Sequence, residues 1–161
     1  GKYLVSPKRL NLKTVAEKEN IFLKQKSSGK NQEFIFEVSA ENPRVFCDEN
    51  SLKGIYVNLV DNAVKYTPTG GKIKIIIHTD ETSVYLSVCD NGQGIPKERQ
   101  AVLFNRFASI GTKTDLGEKS VGLGLFVTGE LCSLNNISLS YSENFSENSG
   151  SIFTLKFPKV G

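Results

Sequence analysis

One segment of this sequence restricts the fold more than any other: a predicted helix that starts at an N-cap, Asp48, and ends at about Tyr66. Apolar residues occupy two flanks of this helix, which are formed by Ile55, Leu59 and Ala63 and by Val57, Val60 and Val64. A helix that is apolar over most of its surface must be covered by other secondary structure on more than one side. The chain therefore requires a layered fold with this helix inside it.

The flanking segments alternate between helix and strand patterns. Besides the central helix, helices are predicted at 11–26, from Pro96 onward and at 123–134. Strands are predicted at 33–38 and 45–47, with antiparallel hairpins at 72–79 with 83–90 and at 137–141 with 151–157. This order predicts an α+β fold, a two-layer α/β sandwich in which helices cover one face of a mixed, mostly antiparallel sheet.

Composition excludes several classes of protein. The net charge is +3 with both signs interspersed, which argues against nucleic acid or a membrane as the main partner. Cys47, Cys89 and Cys132 lack CxxC spacing, so neither a disulfide framework nor a zinc site is expected, and a reducing, cytoplasmic location fits them best. The length of 161 residues predicts a single domain, 1–161, and the absence of methionine predicts a fragment of a larger protein.

A row of polar residues interrupts the apolar surface of the central helix. Asn58, Asp61, Asn62 and Lys65 share one face at helical spacing, and we expect this row to be largely buried. Amide and carboxylate oxygens beside an ammonium group suit a hydrated magnesium ion and a polyphosphate. The alternative is a solvated face on which Asp61 and Lys65 form an ordinary i,i+4 ion pair.

A carboxylate ends the strand predicted at 83–90. Asp90 has the parity of the apolar residues of that strand, so its side chain is expected to face the core. Gly92 and Gly94 follow, and glycines admit positive φ and let a planar ligand approach the backbone. A carboxylate there can accept a hydrogen bond from the amino group of adenine. Ordinary turn chemistry of the Asp-Asn-Gly sequence is the alternative.

A third candidate lies at the start of the helix predicted at 123–134, which is opened by Gly122-Leu123-Gly124-Leu125. Free amides and the positive end of the helix dipole can hold phosphate there. The pattern is neither GxGxxG nor GxxxxGK[ST], which excludes the two commonest nucleotide motifs. The preceding polar segment, 109–120, contains Lys113 and is interpreted as a lid that a ligand orders, with a simple flexible loop as the alternative.

Together and in this order, these segments resemble the ATP-binding catalytic domain of sensor histidine kinases, in the GHKL superfamily with its Bergerat fold. The matching segments are 58–67 for the N box, 90–95 for the G1 box, 103–107 for the F box, 122–125 for the G2 box and 150–153 for the closing glycine-led strand. The resemblance covers about 45–158.

The resemblance implies ATP and Mg²⁺ as cofactors and assigns residues to them. Magnesium is assigned to Asn62 with support from Asn58, the phosphates to Lys65 and Arg106, and adenine to Tyr66 and Asp90. Catalytic roles fall on Asn58, Lys65 and Arg106. The other nucleotide-binding positions are Gly92, Gly94, Ile95, Lys113, Gly122, Leu123, Gly124 and Leu125.

The resemblance also separates phosphoryl transfer from hydrolysis. Gyrase-type topoisomerases, MutL proteins and the heat-shock chaperone carry a glutamate where this chain has Asn58. An amide cannot take a proton from water, so efficient ATP hydrolysis is not expected, whereas a histidine imidazole can attack a γ-phosphate held in such a site. The only histidine, His78, is predicted on the sheet face away from the apolar row, so it is not expected to be the acceptor.

The implied partners are a histidine-bearing dimerisation domain of the same protein and a response-regulator receiver domain. Residues 1–10 are then the remnant of a linker, the fragment is monomeric and the intact protein is a homodimer. Ser109 and Ser120 depart from the family pattern, in the segment after the F box and in the G2 box. A non-catalytic, nucleotide-binding interaction module with the same fold is therefore the alternative function.

Overall fold

The computed structural model describes residues 4–105 and 123–160, with the backbone alone of Leu123. Its helices are α1 (Leu12–Ser28), α2 (Glu49–Tyr66), α3 (Lys97–Gln100) and α4 (Leu123–Leu134). Its strands are β1 (Pro7–Asn11), β2 (Glu33–Val38), β3 (Arg44–Asp48), β4 (Lys72–Thr79), β5 (Ser83–Asp90), β6 (Ser138–Glu143) and β7 (Ser151–Pro158), and a 3-10 turn spans Phe145–Glu147. The predicted helices and strands are confirmed, with ends shifted by a few residues.

The sheet is mixed and mostly antiparallel, as predicted. Its strands lie in the order β2-β4-β5-β7-β6, and only the β2 and β4 pair is parallel. A separate two-stranded sheet pairs β1 with β3, so the predicted linker residues contribute a strand to it. In the described part of the chain, no helix is long and apolar enough to cross a membrane.

The core lies between α1, α2 and α4 and the inner face of the five-stranded sheet. The residues buried there include Ile55, Leu59 and Val60 of α2, Ile73, Ile75 and Ile77 of β4, Leu86 and Val88 of β5, and Leu155 and Phe157 of β7. Each side chain of this size contributes about 1.5–3 kcal/mol when it is fully buried. On the opposite face, His78 is exposed and stacks on Tyr85 with the ring centroids 4.8 Å apart, as its strand parity predicts.

Helix α2 is held at both ends. At its start, the Asp48 carboxylate accepts hydrogen bonds from the amides of Ser51 at 2.8 Å and Ser6 at 2.9 Å, and these bonds lower the pKa of Asp48. At its end, Lys30 and Gln32 both donate to the carbonyl oxygens of residues 64 and 67, at 2.8–3.0 Å. A cation is favourable at this negative end of the helix dipole.

Replacing Gly54 by alanine is expected to raise the free energy of unfolding by about 0.5–1 kcal/mol, because alanine is the better helix former in a helix interior. A Cβ atom at residue 54 lies 3.7 Å from Cδ1 of Leu131, which is ordinary van der Waals contact. Gly129→Ala in α4 is a matched comparison, since its Cβ lies 3.7 Å from Cβ of Phe104. Urea denaturation measures the free energy of unfolding of Gly54→Ala and Gly129→Ala. A loss of stability in both variants would contradict this reasoning.

Candidate functional site

A cleft opens between the C-terminal half of α2, the loop that follows β5 and the start of β7. Its lining residues are Asn62, Ala63, Tyr66, Asp90, Gln93, Gly94, Ile95, Ser151 and Phe153. The structure thus brings five of the predicted site residues together, and they are Asn62, Tyr66, Asp90, Gly94 and Ile95.

Asp90 forms the polar floor of the cleft. Its side chain is buried, as its strand parity predicts, with 7% of the residue exposed. Its Oδ1 atom accepts hydrogen bonds from the amides of Gly92 at 2.9 Å and Ser151 at 3.3 Å. Its Oδ2 atom has no hydrogen-bond partner among the described residues. One oxygen is therefore anchored to the backbone while the other can serve a ligand in the cleft.

Burial raises the pKa of Asp90 from 3.8 to about 6, and the two amide hydrogen bonds oppose this only in part. A shift of this size means that the ionised carboxylate costs the fold about 3 kcal/mol. Because the folded chain holds this proton more tightly than the unfolded chain, stability falls as the pH rises from about 4 to about 6. A ligand that donates a hydrogen bond to Oδ2 offsets that cost.

The glycines after Asp90 lie in close contact with neighbouring backbone. A Cβ atom at Gly92 would lie 2.7 Å from the carbonyl oxygen of Tyr66, and one at Gly94 would lie 3.1 Å from that of Gly150. Only Gly94 has a positive φ, at 78°. Both glycines therefore admit neighbouring protein backbone, which positions the loop against α2 and β7, and Gly94 also lines the cleft.

The polar row of α2 is only partly buried, which corrects the expectation that it is largely buried. Asn58, Asp61 and Asn62 are half-buried, and 47% of the Lys65 side chain is exposed. Of this row, Asn62 lines the cleft, whereas Asn58 bonds Thr128 of α4 and Asp61 bonds Lys26 of α1. The side chain of Asn62 makes no hydrogen bond within the described part of the chain and lines the cleft.

Asp61 joins two lysines beside the cleft. Its Oδ1 accepts a hydrogen bond from Lys26 of α1 at 3.0 Å, and its Oδ2 lies 3.3 Å from Nζ of Lys65. The i,i+4 pair that was the alternative for this row is therefore present. The structure adds Lys26, which sequence reasoning missed because it lies 35 positions away on another helix.

Asn58 points towards α4 rather than into the cleft. Its Nδ2 group donates to Oγ1 of Thr128 at 3.3 Å, and the Thr128 hydroxyl donates to the carbonyl oxygen of Gly124 at 2.8 Å. Thr128 was not a predicted site residue, because a threonine inside an apolar helix carries no motif signal.

Tyr141 is a second residue that the sequence did not indicate. Its hydroxyl accepts a hydrogen bond from the amide of Ile95 at 3.1 Å and lies 3.1 Å from Oγ of Ser151. Its ring packs edge-on against Phe153 at 5.2 Å. Tyr141 thus joins the loop after β5 to the wall of the cleft.

The remaining predicted positions fall at or beyond the edge of the described chain. Arg106, Lys113 and Gly122 lie outside the described residues, as do Ser109 and Ser120. Leu123 begins α4, Gly124 is exposed in its first turn, and Leu125 is buried in the core.

The donor set favours magnesium held together with a polyphosphate. Residues 4–105 and 123–160 contain no group of three His, Cys, Asp or Glu side chains that could hold a metal ion alone. Magnesium usually keeps several water ligands and takes others from phosphate, so one or two hard oxygen ligands from the protein suffice. The side-chain oxygens of Asn58 and Asn62 are ligands of that kind.

Comparison with known proteins identifies relatives of this chain. Residues 47–161 match the family described as histidine kinase-, DNA gyrase B- and HSP90-like ATPase. Sensor histidine kinase Hik2 of Thermosynechococcus vestitus is 36% identical over 125 residues, which are 78% of this chain and 32% of that protein. The chain thus spans about a third of the length of this relative.

Solved structures agree with the sequence comparison. The nucleotide-free catalytic domain of histidine kinase ThkA has a TM-score of 0.82 and 27% identity, and the match covers 97% of this chain and 99% of that domain. ThkA in complex with the response regulator TrrA matches with a TM-score of 0.80 and 25% identity, over 97% of this chain and 42% of that chain. The predicted resemblance is confirmed, and this chain belongs to the histidine kinase-, DNA gyrase B- and HSP90-like ATPase family.

Proposed function

We propose that this chain binds Mg-ATP and transfers the γ-phosphate to a histidine on a separate dimerisation domain, as part of a two-component sensor kinase. One observation carries the proposal: a buried carboxylate, Asp90, keeps one oxygen free at the floor of a cleft that Asn62 and Tyr66 also line. The amino group of adenine is the kind of donor that this oxygen lacks.

The cleft offers complementary surfaces for the parts of the nucleotide. Tyr66, Ile95 and Phe153 provide apolar contact for the purine around Asp90. Asn62 and Asn58 lie on the same face of α2 and are assigned to magnesium, and Lys65 is assigned to the phosphates. Lys65 forms an ion pair with Asp61 in this structure. Lys65 must therefore leave the Asp61 carboxylate in order to pair with a phosphate when the nucleotide binds.

The groups assigned to the phosphate end of ATP favour transfer of the γ-phosphate over its hydrolysis. The Asn58 amide cannot act as a base, and both oxygens of the nearest carboxylate in the row, Asp61, face lysines. His78 lies on the outer face of the sheet, away from the helices, so the acceptor histidine must come from elsewhere. The structure of ThkA with TrrA supports a response-regulator receiver domain as the second partner. We place the domain in the cytoplasm, as a monomer in isolation and as a homodimer in the intact protein.

Phosphotransfer tests this proposal directly. The chain is incubated with γ-labelled ATP, magnesium and the dimerisation domain of its parent protein. We expect an acid-labile phosphohistidine on that domain and negligible release of free phosphate by the chain alone. Binding of ATP without transfer would instead support the interaction module, and steady phosphate release would support an independent ATPase. Asp90→Ala serves as the binding-deficient control.

The affinity for Mg-ATP is expected to fall as the pH drops below about 6, the pKa of Asp90. The ionised carboxylate is the stronger acceptor for the adenine amino group, so affinity decreases below that pKa and levels off after a loss of about tenfold, the loss expected for a neutral acceptor. Calorimetric titration from about pH 7.5 to about pH 5 measures this slope. Asp90→Asn isolates the titration of the nucleotide itself, and an equal slope in both proteins would contradict the assignment.

A further inference from the structure

Thr128 occupies a fully buried position between the polar row of α2 and the first turn of α4. None of its surface is exposed. Its hydroxyl donates to the Gly124 carbonyl oxygen at 2.8 Å and accepts from Nδ2 of Asn58 at 3.3 Å. A single side chain thus contacts the N-box helix and the helix turn that follows the G2 box.

The chemistry of these groups determines how Asn58 is oriented. A threonine hydroxyl has one proton, and a carbonyl oxygen can only accept, so that proton is committed to Gly124. The hydroxyl then offers Asn58 only lone pairs, and the amide must present its NH₂ group to Thr128. The amide oxygen of Asn58 is therefore directed away from α4 and remains free to accept.

We propose that Thr128 is a positioning residue for the magnesium site, because it holds Asn58 with its Oδ1 oxygen available to the metal ion or to its water ligands. This inference rests on the proposed binding of Mg-ATP. Residues that orient a metal ligand through a hydrogen bond contribute roughly 10–100-fold to metal affinity. Without the hydroxyl, no hydrogen bond holds the Asn58 NH₂ group, which a cation repels, away from the metal ion.

Nuclear magnetic resonance of the nucleotide-free protein tests the contact itself. The side-chain NH₂ signals of Asn58, identified by their loss in Asn58→Ala, should move towards free-amide positions in Thr128→Val and stay in place in Thr128→Ser. Valine has nearly the shape of threonine and is also β-branched, whereas serine keeps the hydroxyl. Unchanged signals in Thr128→Val would overturn the proposal.

Magnesium-dependent nucleotide binding tests the consequence. The ratio of ATP affinity with magnesium to ATP affinity with chelator should fall about tenfold in Thr128→Val and stay within about twofold in Thr128→Ser. In an Asn58→Ala background, Thr128→Val should cause no further fall. Thr154→Val is the matched control, since it removes a hydroxyl that bonds Ser87 at 3.0 Å within the sheet.

The two measurements separate the possible failures. An equal loss in Thr128→Ser and Thr128→Val would indicate a packing role and overturn the proposal, as would an unchanged ratio in Thr128→Val. If the unaltered chain bound no ATP, the proposed function would fail, and the Asn58 signals would still decide whether Thr128 orients the amide.

Discussion

Asp90→Ala is expected to weaken Mg-ATP binding by about 100-fold, or about 3 kcal/mol. The variant removes a charge-assisted hydrogen bond and leaves the amino group of adenine buried without an acceptor, and the two losses add. Isothermal titration calorimetry with magnesium present measures the change. Because the ionised carboxylate is unfavourable for folding, we expect the loss in binding to occur in a protein that remains folded.

Two variants show whether the charge or the shape of Asp90 matters. Asp90→Asn keeps an oxygen that can accept from the amides of Gly92 and Ser151, so it should fold like the parent chain. It should still lose roughly tenfold in affinity, because a neutral acceptor forms the weaker bond. Glu81→Gln removes an exposed carboxylate from the β4–β5 turn and should bind normally. Full affinity in Asp90→Ala would refute the placement of adenine.

Gly150→Ala is expected to lower the free energy of unfolding by about 3–5 kcal/mol, among the largest effects of a single substitution. Residue 150 has a φ of +123°, which side-chain-bearing residues rarely adopt. A Cβ atom there would also lie 1.9 Å from the carbonyl oxygen of Asp90, so the backbone of β5 would have to move. Urea denaturation measures the loss.

Gly70→Ala distinguishes the cost of backbone strain at a positive φ from the cost of a steric clash of the new Cβ atom. Gly70 also has a positive φ, at 83°, but a Cβ atom there meets nothing within 4 Å. It should therefore cost only about 1–2 kcal/mol. The difference between the two variants measures the close approach of Gly150 to Asp90. Equal losses would show that backbone strain alone accounts for both.

The predicted fold agrees with the structure because its signals are local. The parity of β5 placed Asp90 on the buried face, and the Asp48 cap marked the start of α2. The N box and G1 box could be assigned from short segments for the same reason. Prediction failed where a residue's surroundings come from distant parts of the chain. The polar row was expected to be largely buried, yet it is only partly covered, by single contacts of Asp61 with α1 and of Asn58 with α4.

The sequence alone determined the order of helices and strands, the side of the sheet on which Asp90 lies and the family to which the chain belongs, because periodicity and motif spacing are properties of neighbouring residues. Only the tertiary structure decided that Lys26 reaches Asp61, that Asn58 bonds Thr128 and that Asp90 lines a cleft. Such contacts join residues from different helices and strands. They depend on how those elements pack, which no local pattern encodes.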